Sequence, residues 1–125
     1  MLNGKYVVVV IPAYNVGLQI SGTIEGIKPF VDHIVVVDDC SFDNTYDIVK
    51  SLNNNRVTLL RNSENQGVGG ATTEGFKKGL ELGGDIFIKF DEMVRWTRKG
   101  WKILSRQSLM GMITLKVTGL FIQTH

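Results

Sequence analysis

No aspartate or glutamate occurs between residues 93 and 125, the last quarter of this 125-residue chain. Cysteine is nearly absent as well. Cys40 stands alone, so no internal disulfide can form, and a reducing cytoplasmic setting is expected. No apolar run approaches the roughly 18–20 residues that a membrane-crossing helix needs. The opening Met1-Leu-Asn-Gly-Lys5 lacks the basic-then-apolar pattern of a signal peptide. A P-loop is missing, and no G-x-G-x-x-G follows the first apolar run, which argues against P-loop enzymes and dinucleotide-binding domains. A receiver-type domain is also disfavoured, because it would need an acidic pair after the first strand and an aspartate after the third. What remains has the composition of an ordinary globular domain, 43% hydrophobic and 21% charged, long enough for one modest core.

The net charge of +2 hides an asymmetry. Residues 1–92 carry 8 Lys and Arg against 12 Asp and Glu, a balance of −4. Residues 93–125 carry 6 Lys and Arg and no acid, a balance of +6, together with Trp96, Trp101, Met93, Met110 and Met112. A basic arm that binds nucleic acid or anionic lipid would give this pattern, and so would two stretches of different origin.

Through the acidic part, apolar runs alternate with helical periodicity. Tyr6-Val-Val-Val-Val-Ile11 is a β-branched run ended by Pro12, read as a strand buried on both faces. Ile20, Ile24 and Ile27 recur at helical spacing before Pro29. His33-Ile-Val-Val-Val37 is a second buried strand that runs into Asp38 and Asp39. Ser41 or Asp43 is placed to cap a helix with Ile48, Val49 and Leu52 on its apolar face. Val57-Thr-Leu-Leu60 reads as a third strand, followed by a glycine-rich turn at 67–70, a helix to about Leu82, and a fourth strand over residues 85–90. This order predicts a parallel sheet of about four strands with right-handed crossovers and helices on both faces. Ligands of such sheets bind beyond the carboxyl ends of the strands, which here hold Pro12-Ala-Tyr-Asn15, Asp38-Asp39, Arg61-Asn62 and Asp91.

Three stretches at these ends resemble the signatures of family-2 glycosyltransferases of the GT-A fold. They are Val8-Val-Val-Ile-Pro-Ala-Tyr-Asn15, Val35-Val-Val-Asp-Asp-Cys-Ser-Phe-Asp-Asn-Thr45 and Asn65-Gln-Gly-Val-Gly-Gly-Ala-Thr-Thr-Glu-Gly75. Within the family, the branch that includes polyprenyl-phosphate sugar synthases is the most similar. The resemblance implies a truncated Rossmann-like nucleotide-sugar-binding domain over residues 1–91. It implies that Asp39 accepts a hydrogen bond from a ring N–H of the base, with Asp38 beside it. Pro12, Ala13 and Tyr14 would wall the base and ribose, with Asn15 counted among the nucleotide-sugar-binding residues. Gly67, Gly69 and Gly70 would allow close backbone approach of the diphosphate to a helix N-terminus. The donor would be a nucleotide-diphosphate sugar of UDP or GDP type and the acceptor a polyprenyl phosphate, with no nucleic-acid partner. Gly75 and Gly79, four apart, suit close packing of that helix on the sheet. Cys40 stands where the family commonly has glycine and reads as a small packed residue, not a nucleophile. His33 receives no role.

After the fourth strand the family carries Asp-x-Asp, whose carboxylates hold Mg²⁺ or Mn²⁺ against the diphosphate. Here the text is Phe90-Asp91-Glu92-Met93. Asp91 matches the first ligand, but Met93 offers a thioether at the second, a poor ligand for a hard cation, so metal binding by this chain is not expected. Loss of a single nucleotide would convert Asp-Gly-Asp-Gly into the Asp-Glu-Met-Val found at 91–94. With suitable synonymous codons, residues 95–121 then read QMDPKGMENLISPILNGYDYAKGNRF in the original frame, family-like text that also accounts for the surplus Trp and Met. Residues 92–125 are therefore expected to be a basic, frameshift-derived tail. The alternative is a genuine extension, with residues 113–118 as an edge strand and the basic and tryptophan residues at an anionic membrane surface. In the family, the acceptor pocket and catalytic base come from later sequence, so no catalytic residue is assigned. Little or no turnover is expected, and so is self-association through exposed sheet edges.

Overall fold

The computed structural model describes residues 1, 3–90 and 101–105. Its elements, in chain order, are β1 (Val7–Ala13), α1 (Ile20–Glu25), β2 (His33–Asp38), α2 (Thr45–Ser51), β3 (Val57–Arg61), α3 (Gly67–Glu81), β4 (Ile86–Phe90) and β5 (Trp101–Ser105). They form one sheet in the order β3-β2-β1-β4-β5. The first four strands are parallel, as the alternation of runs implies, and β5 is antiparallel to β4.

Strand periodicity divides the core into two layers. Val7, Val9, Ile11 and Ala13 of β1 face the same side as Ile34 and Val36 of β2, against Ile20 and Ile24 of α1 and Val49 of α2. Val8, Val10, Val35 and Val37 face the other side, against Ala71 and Phe76 of α3. All seven residues of β1 are buried, which is why the central strand reads as continuous apolar text and not as an alternation. Burial of each such Val or Ile contributes about 1.5–3 kcal/mol before conformational entropy is counted.

Several boundaries differ from the sequence reading for identifiable reasons. β1 does not stop before Pro12 but continues through Pro12↔Val37 and Ala13↔Asp38. Its pairing with β4 ends at Val10↔Lys89, so the missing proline N–H points past the last β1–β4 pair and costs no ladder bond there. α1 ends at Glu25, and Ile27 packs into the core from the following turn. There the Arg56 guanidinium holds the carbonyls of Ile27, Lys28 and Val31 at 3.3, 3.1 and 2.8 Å. α3 begins at Gly67, so the glycine cluster forms the first helical turn and not a turn ahead of it.

At the amino-terminal end of the sheet, carboxylates serve the backbone. Asp32 Oδ2 accepts the Val7 amide at 2.7 Å, and Asp85 Oδ2 accepts the Tyr6 amide at 2.9 Å. β5 lies within the basic segment and lines the β4 side of the sheet, leaving β3 as an edge among the described residues. Residues 113–118, read as a possible strand, fall outside the described residues.

Candidate functional site

The strand order places a topological switch at β1: β2 and β3 lie to one side of it, β4 to the other. α1 and α2 connect strands on one face and α3 on the opposite face, so the loops at the carboxyl ends of β1 and β2 diverge from the start of α3. A cleft of about 370 Å³ opens there, lined by Pro12, Ala13, Tyr14, Val16, Asp39, Val68 and Ala71.

The two adjacent aspartates point to different sides, as successive positions of an extended chain do. Asp38 falls on the α2 side and is fully buried. Its Oδ1 accepts the Ser41 hydroxyl, and its Oδ2 lies 3.5 Å from Arg61 Nε, an ion pair without hydrogen-bond alignment. The Arg61 guanidinium in turn sits 4.9 Å from the centroid of the Tyr46 ring. Asp38 thus ties β2, β3 and α2 together and does not line the cleft.

Asp39 falls on the α3 side and is only 3% exposed, yet it forms part of the cleft wall. Its Oδ1 accepts two hydrogen bonds, from Asn62 Nδ2 at 2.8 Å and from the Gln66 amide at 2.8 Å. Its own amide donates to Ala13 O at 2.9 Å, which fixes the carboxylate relative to β1.

Asn15, counted by resemblance among the nucleotide-sugar-binding residues, turns its side chain to the loop after β2. Its Oδ1 accepts the amides of Phe42 at 2.8 Å and of Asp43 at 3.4 Å, and its backbone N–H donates to Ser41 Oγ at 2.9 Å. Gly17 N and Val16 N add bonds to Asp43 Oδ2 at 3.0 Å and Thr45 Oγ1 at 2.9 Å. The two loops are therefore zipped together, with Tyr14 and Phe42 edge to face at 6.3 Å on the rim. Asp43 bonds the Thr45 hydroxyl and amide and so terminates α2 in the manner of a cap, while the residue at the formal cap position, Asn44, makes no side-chain cap bond. The Thr45 hydroxyl holds the Asp43 carboxyl below the usual carboxylate value, with the backbone amides of Gly17 and Thr45 adding to the effect.

The first turn of α3 supplies donors. A helix leaves its first amides without internal carbonyl partners. Of these, Gly67 N–H goes to Asn65 Oδ1 at 3.0 Å, and those of Val68, a cleft-lining residue, and Gly69 follow it in the same turn. Gly67 has φ +79°, a left-handed conformation that favours glycine, and the space beside Gly67 and Gly69 is open. Gly70 is tight instead, since a Cβ there would lie 2.7 Å from Gln66 Cβ. Gly75 and Gly79 meet the sheet as their spacing suggests, packed on Val10 and Val37 and on Phe87 and Val8.

The sequence reading missed Val16, Val68 and Ala71 in the wall and the part played by Gln66. Asn62 had been marked only as a polar residue at a strand end. Its signal was its place one position after β3, but a contact 23 residues away in sequence has no local signature. Asp91, with Glu92 and Met93, lies outside the described residues. Among the described residues, no group of three or more His, Cys, Asp or Glu side chains is arranged to hold a metal ion, and no helix is long and apolar enough to cross a membrane.

A doubly wound α/β sheet with a cleft at the carboxyl ends of its strands is a Rossmann-like architecture, here of the GT-A type shared by its structural neighbours. The family model described as Glycosyl transferase family 2 matches residues 8–92, and the chain belongs to that family. A similar curated protein is the UDP-N-acetylglucosamine–dolichyl-phosphate N-acetylglucosaminyltransferase of Methanococcus voltae, 40% identical over 70% of this chain and 41% of the relative. Another is the undecaprenyl-phosphate mannosyltransferase of Micrococcus luteus, 33% identical over 68% of this chain and 37% of the relative. Both fit the polyprenyl-phosphate branch of the family. Among solved structures, S. aureus TarS 1-349 in complex with UDP superposes with a TM-score of 0.62 at 25% identity, covering 70% of this chain and 27% of that one. The Pyrobaculum calidifontis mannosyltransferase PcManGT, solved with GDP-Man and Mn²⁺, shares the fold at a TM-score of 0.60 and 22% identity, over 87% of this chain and 31% of that one. The chain spans about two fifths of the length of the curated relatives it matches.

Proposed function

We propose that this chain binds the nucleoside diphosphate part of a nucleotide-sugar donor in the cleft between Tyr14, Asp39 and the first turn of α3. The carrying observation is the buried Asp39 carboxylate, held by Asn62 and the Gln66 amide at one wall of a cleft whose other side is a helix N-terminus. The base meets Asp39, Pro12, Ala13 and Tyr14 form the wall beside it, and the diphosphate meets the amides of Val68 and Gly69 with Gly67 and Gly70 alongside. Asn15 and Asp38 act indirectly, by fixing the loops that carry Tyr14 and Asp39. The parent reaction is transfer of the sugar to an acceptor, and the names of the relatives support a polyprenyl phosphate in that role.

Asp91 alone, followed by Glu92 and Met93, does not supply the paired carboxylates with which the family holds Mg²⁺ or Mn²⁺, since a thioether is a poor ligand for a hard cation. Residues 92–125 are read out of the family's frame, and the chain is a donor-binding domain with little or no turnover. Titration calorimetry with UDP and GDP, with and without Mn²⁺, tests the reading: binding that changes little with Mn²⁺ is expected, and robust sugar transfer by the purified chain would overturn it. Reading the gene in all three frames tests the frameshift. A family-like continuation is expected one base away, and its absence would remove that explanation.

One observation favours a second reading, a non-catalytic module with a genuine basic extension: β5, inside that extension, pairs along β4 from Ile86↔Ser105 to Phe90↔Trp101. Under it, deletion of residues 93–125 abolishes binding to anionic vesicles or a partner while nucleotide binding persists.

A further inference from the structure

Asp39 is a carboxylate with only one oxygen left to offer. Oδ1 accepts the Asn62 amide and the Gln66 backbone N–H, both at 2.8 Å, and so both of its lone-pair directions are occupied. Among the described residues nothing is bonded to Oδ2, although the residue is only 3% exposed and lines the cleft. The two donors come from different elements, the end of β3 and the start of α3, so the carboxylate cannot rotate to exchange its oxygens without breaking both bonds.

The number of free acceptors distinguishes the bases. Guanine presents a ring N–H and an exocyclic amine side by side, and a carboxylate satisfies them with two oxygens. Cytosine presents a ring nitrogen that is itself an acceptor, which would face Oδ2 lone pair to lone pair. Uracil presents a single imide N–H flanked by carbonyls and needs one acceptor. From this geometry we propose that Asn62 is a specificity-determining positioning residue: by occupying Oδ1 of Asp39 together with the Gln66 amide, it leaves one acceptor in the cleft and selects a uridine diphosphate donor over a guanosine one. This inference rests on the reading that Asp39 meets the base.

The same geometry dictates the outcome of a near-isosteric change. In Asp39→Asn the oxygen must remain where two donors converge, so the amide nitrogen turns to the cleft and becomes a donor. A donor there repels the uracil imide and suits the cytosine ring nitrogen.

The test is calorimetric titration of the full chain with UDP, GDP, CDP and N3-methyl-UDP. The unaltered chain is expected to bind UDP at least about tenfold tighter than each of the others, because a buried polar group left unpaired is strongly disfavoured. Asp39→Asn is expected to invert the UDP-to-CDP preference. Asn62→Ala, with its fold checked by circular dichroism, is expected to lower the UDP-to-GDP ratio severalfold, a change in ratio that a purely structural role would not produce. GDP binding as tight as UDP binding overturns the inference and leaves the donor-site reading standing. Equal affinity for UDP and N3-methyl-UDP overturns the inference together with the placement of the base at Asp39. No binding of any nucleoside diphosphate removes both.

Discussion

The side-chain oxygen of Asn15 accepts the main-chain amide of Phe42 at 2.8 Å, joining the loop after β1 to the loop after β2. Asn15 also has φ +53°, a left-handed conformation that asparagine tolerates better than most residues with a Cβ. Two penalties therefore combine in Asn15→Ala, the lost bond and the backbone strain, and a destabilisation of about 1–3 kcal/mol is expected. Asn15→Gly keeps the backbone comfortable and loses only the bond, so it should be the milder variant. Urea denaturation of both checks this, and an Ala variant as stable as the Gly variant would contradict the assignment of strain.

Cys40 has φ +63° with no side-chain chemistry to justify it beyond a 3.6 Å contact from Sγ to the Ser63 carbonyl. The resemblance had marked this position as one where glycine is common, and the dihedral gives the physical reason. Comparison of Cys40→Gly with Cys40→Ala separates backbone from side chain, since both lose the thiol contact. Glycine is expected to be the more stable by about 1 kcal/mol, the usual cost of a Cβ in the left-handed region less the entropy that glycine gains when unfolded. Equal unfolding midpoints would refute it.

What could be read in the sequence follows from the range of each interaction. β1 and β2 were legible because strands buried on both faces leave uninterrupted β-branched text, and the layer order followed from strands alternating with helices. The start of α3 was misplaced because glycine lowers helix propensity, while the Asn65 side chain and the Asp39 carboxylate, which organise that terminus, act across space. β5 was not foreseen. Residues 101–105 carry no alternation, and their pairing with β4 is a backbone matter that no residue type announces. At the site, Asp39 was legible by resemblance, but its anchoring by Asn62 was not, and the aim of the Asn15 side chain at Phe42 follows from loop geometry alone.

Two glycines of α3 should respond to alanine in opposite ways. At Gly79 a Cβ would lie 2.7 Å from Phe87 Cε1 and 3.2 Å from Val8 Cγ1, both fully buried, so Gly79→Ala is expected to cost about 1–3 kcal/mol by overpacking. At Gly69 nothing lies within 4 Å of an added Cβ, and alanine is the better helix former by up to about 1 kcal/mol. Gly69→Ala should therefore stabilise the chain while weakening nucleoside diphosphate binding, because the methyl group crowds the amides that meet the phosphates. Thermal melts and titrations on the same samples check both. Stabilisation with unchanged affinity would place the diphosphate elsewhere.

Stability should fall in two steps as the solution is acidified. His33 opens β2, partly buried, with Nε2 2.6 Å from Thr58 Oγ1, and burial lowers its pKa from the ordinary 6.5. An unfolded histidine then takes up a proton before the folded one does, so the unfolded state gains protons first and stability declines as pH drops below about 6.5. For Asp32, burial acts to raise the pKa, but the Val7 amide and the N-terminal ammonium outweigh it, and the net direction is down from 3.8. Asp43 is also lowered from 3.8, chiefly by the Thr45 hydroxyl. A carboxyl with a depressed folded pKa contributes stability above its unfolded value, and that stability is lost as pH falls through the folded one, here below about 4. Urea midpoints measured from pH 8 to pH 3 should show both declines. His33→Gln is expected to flatten the upper one alone, and Asp43→Asn to weaken the lower one alone. If His33→Gln leaves the slope between about pH 7 and pH 5 unchanged, the burial of the neutral imidazole is not its source.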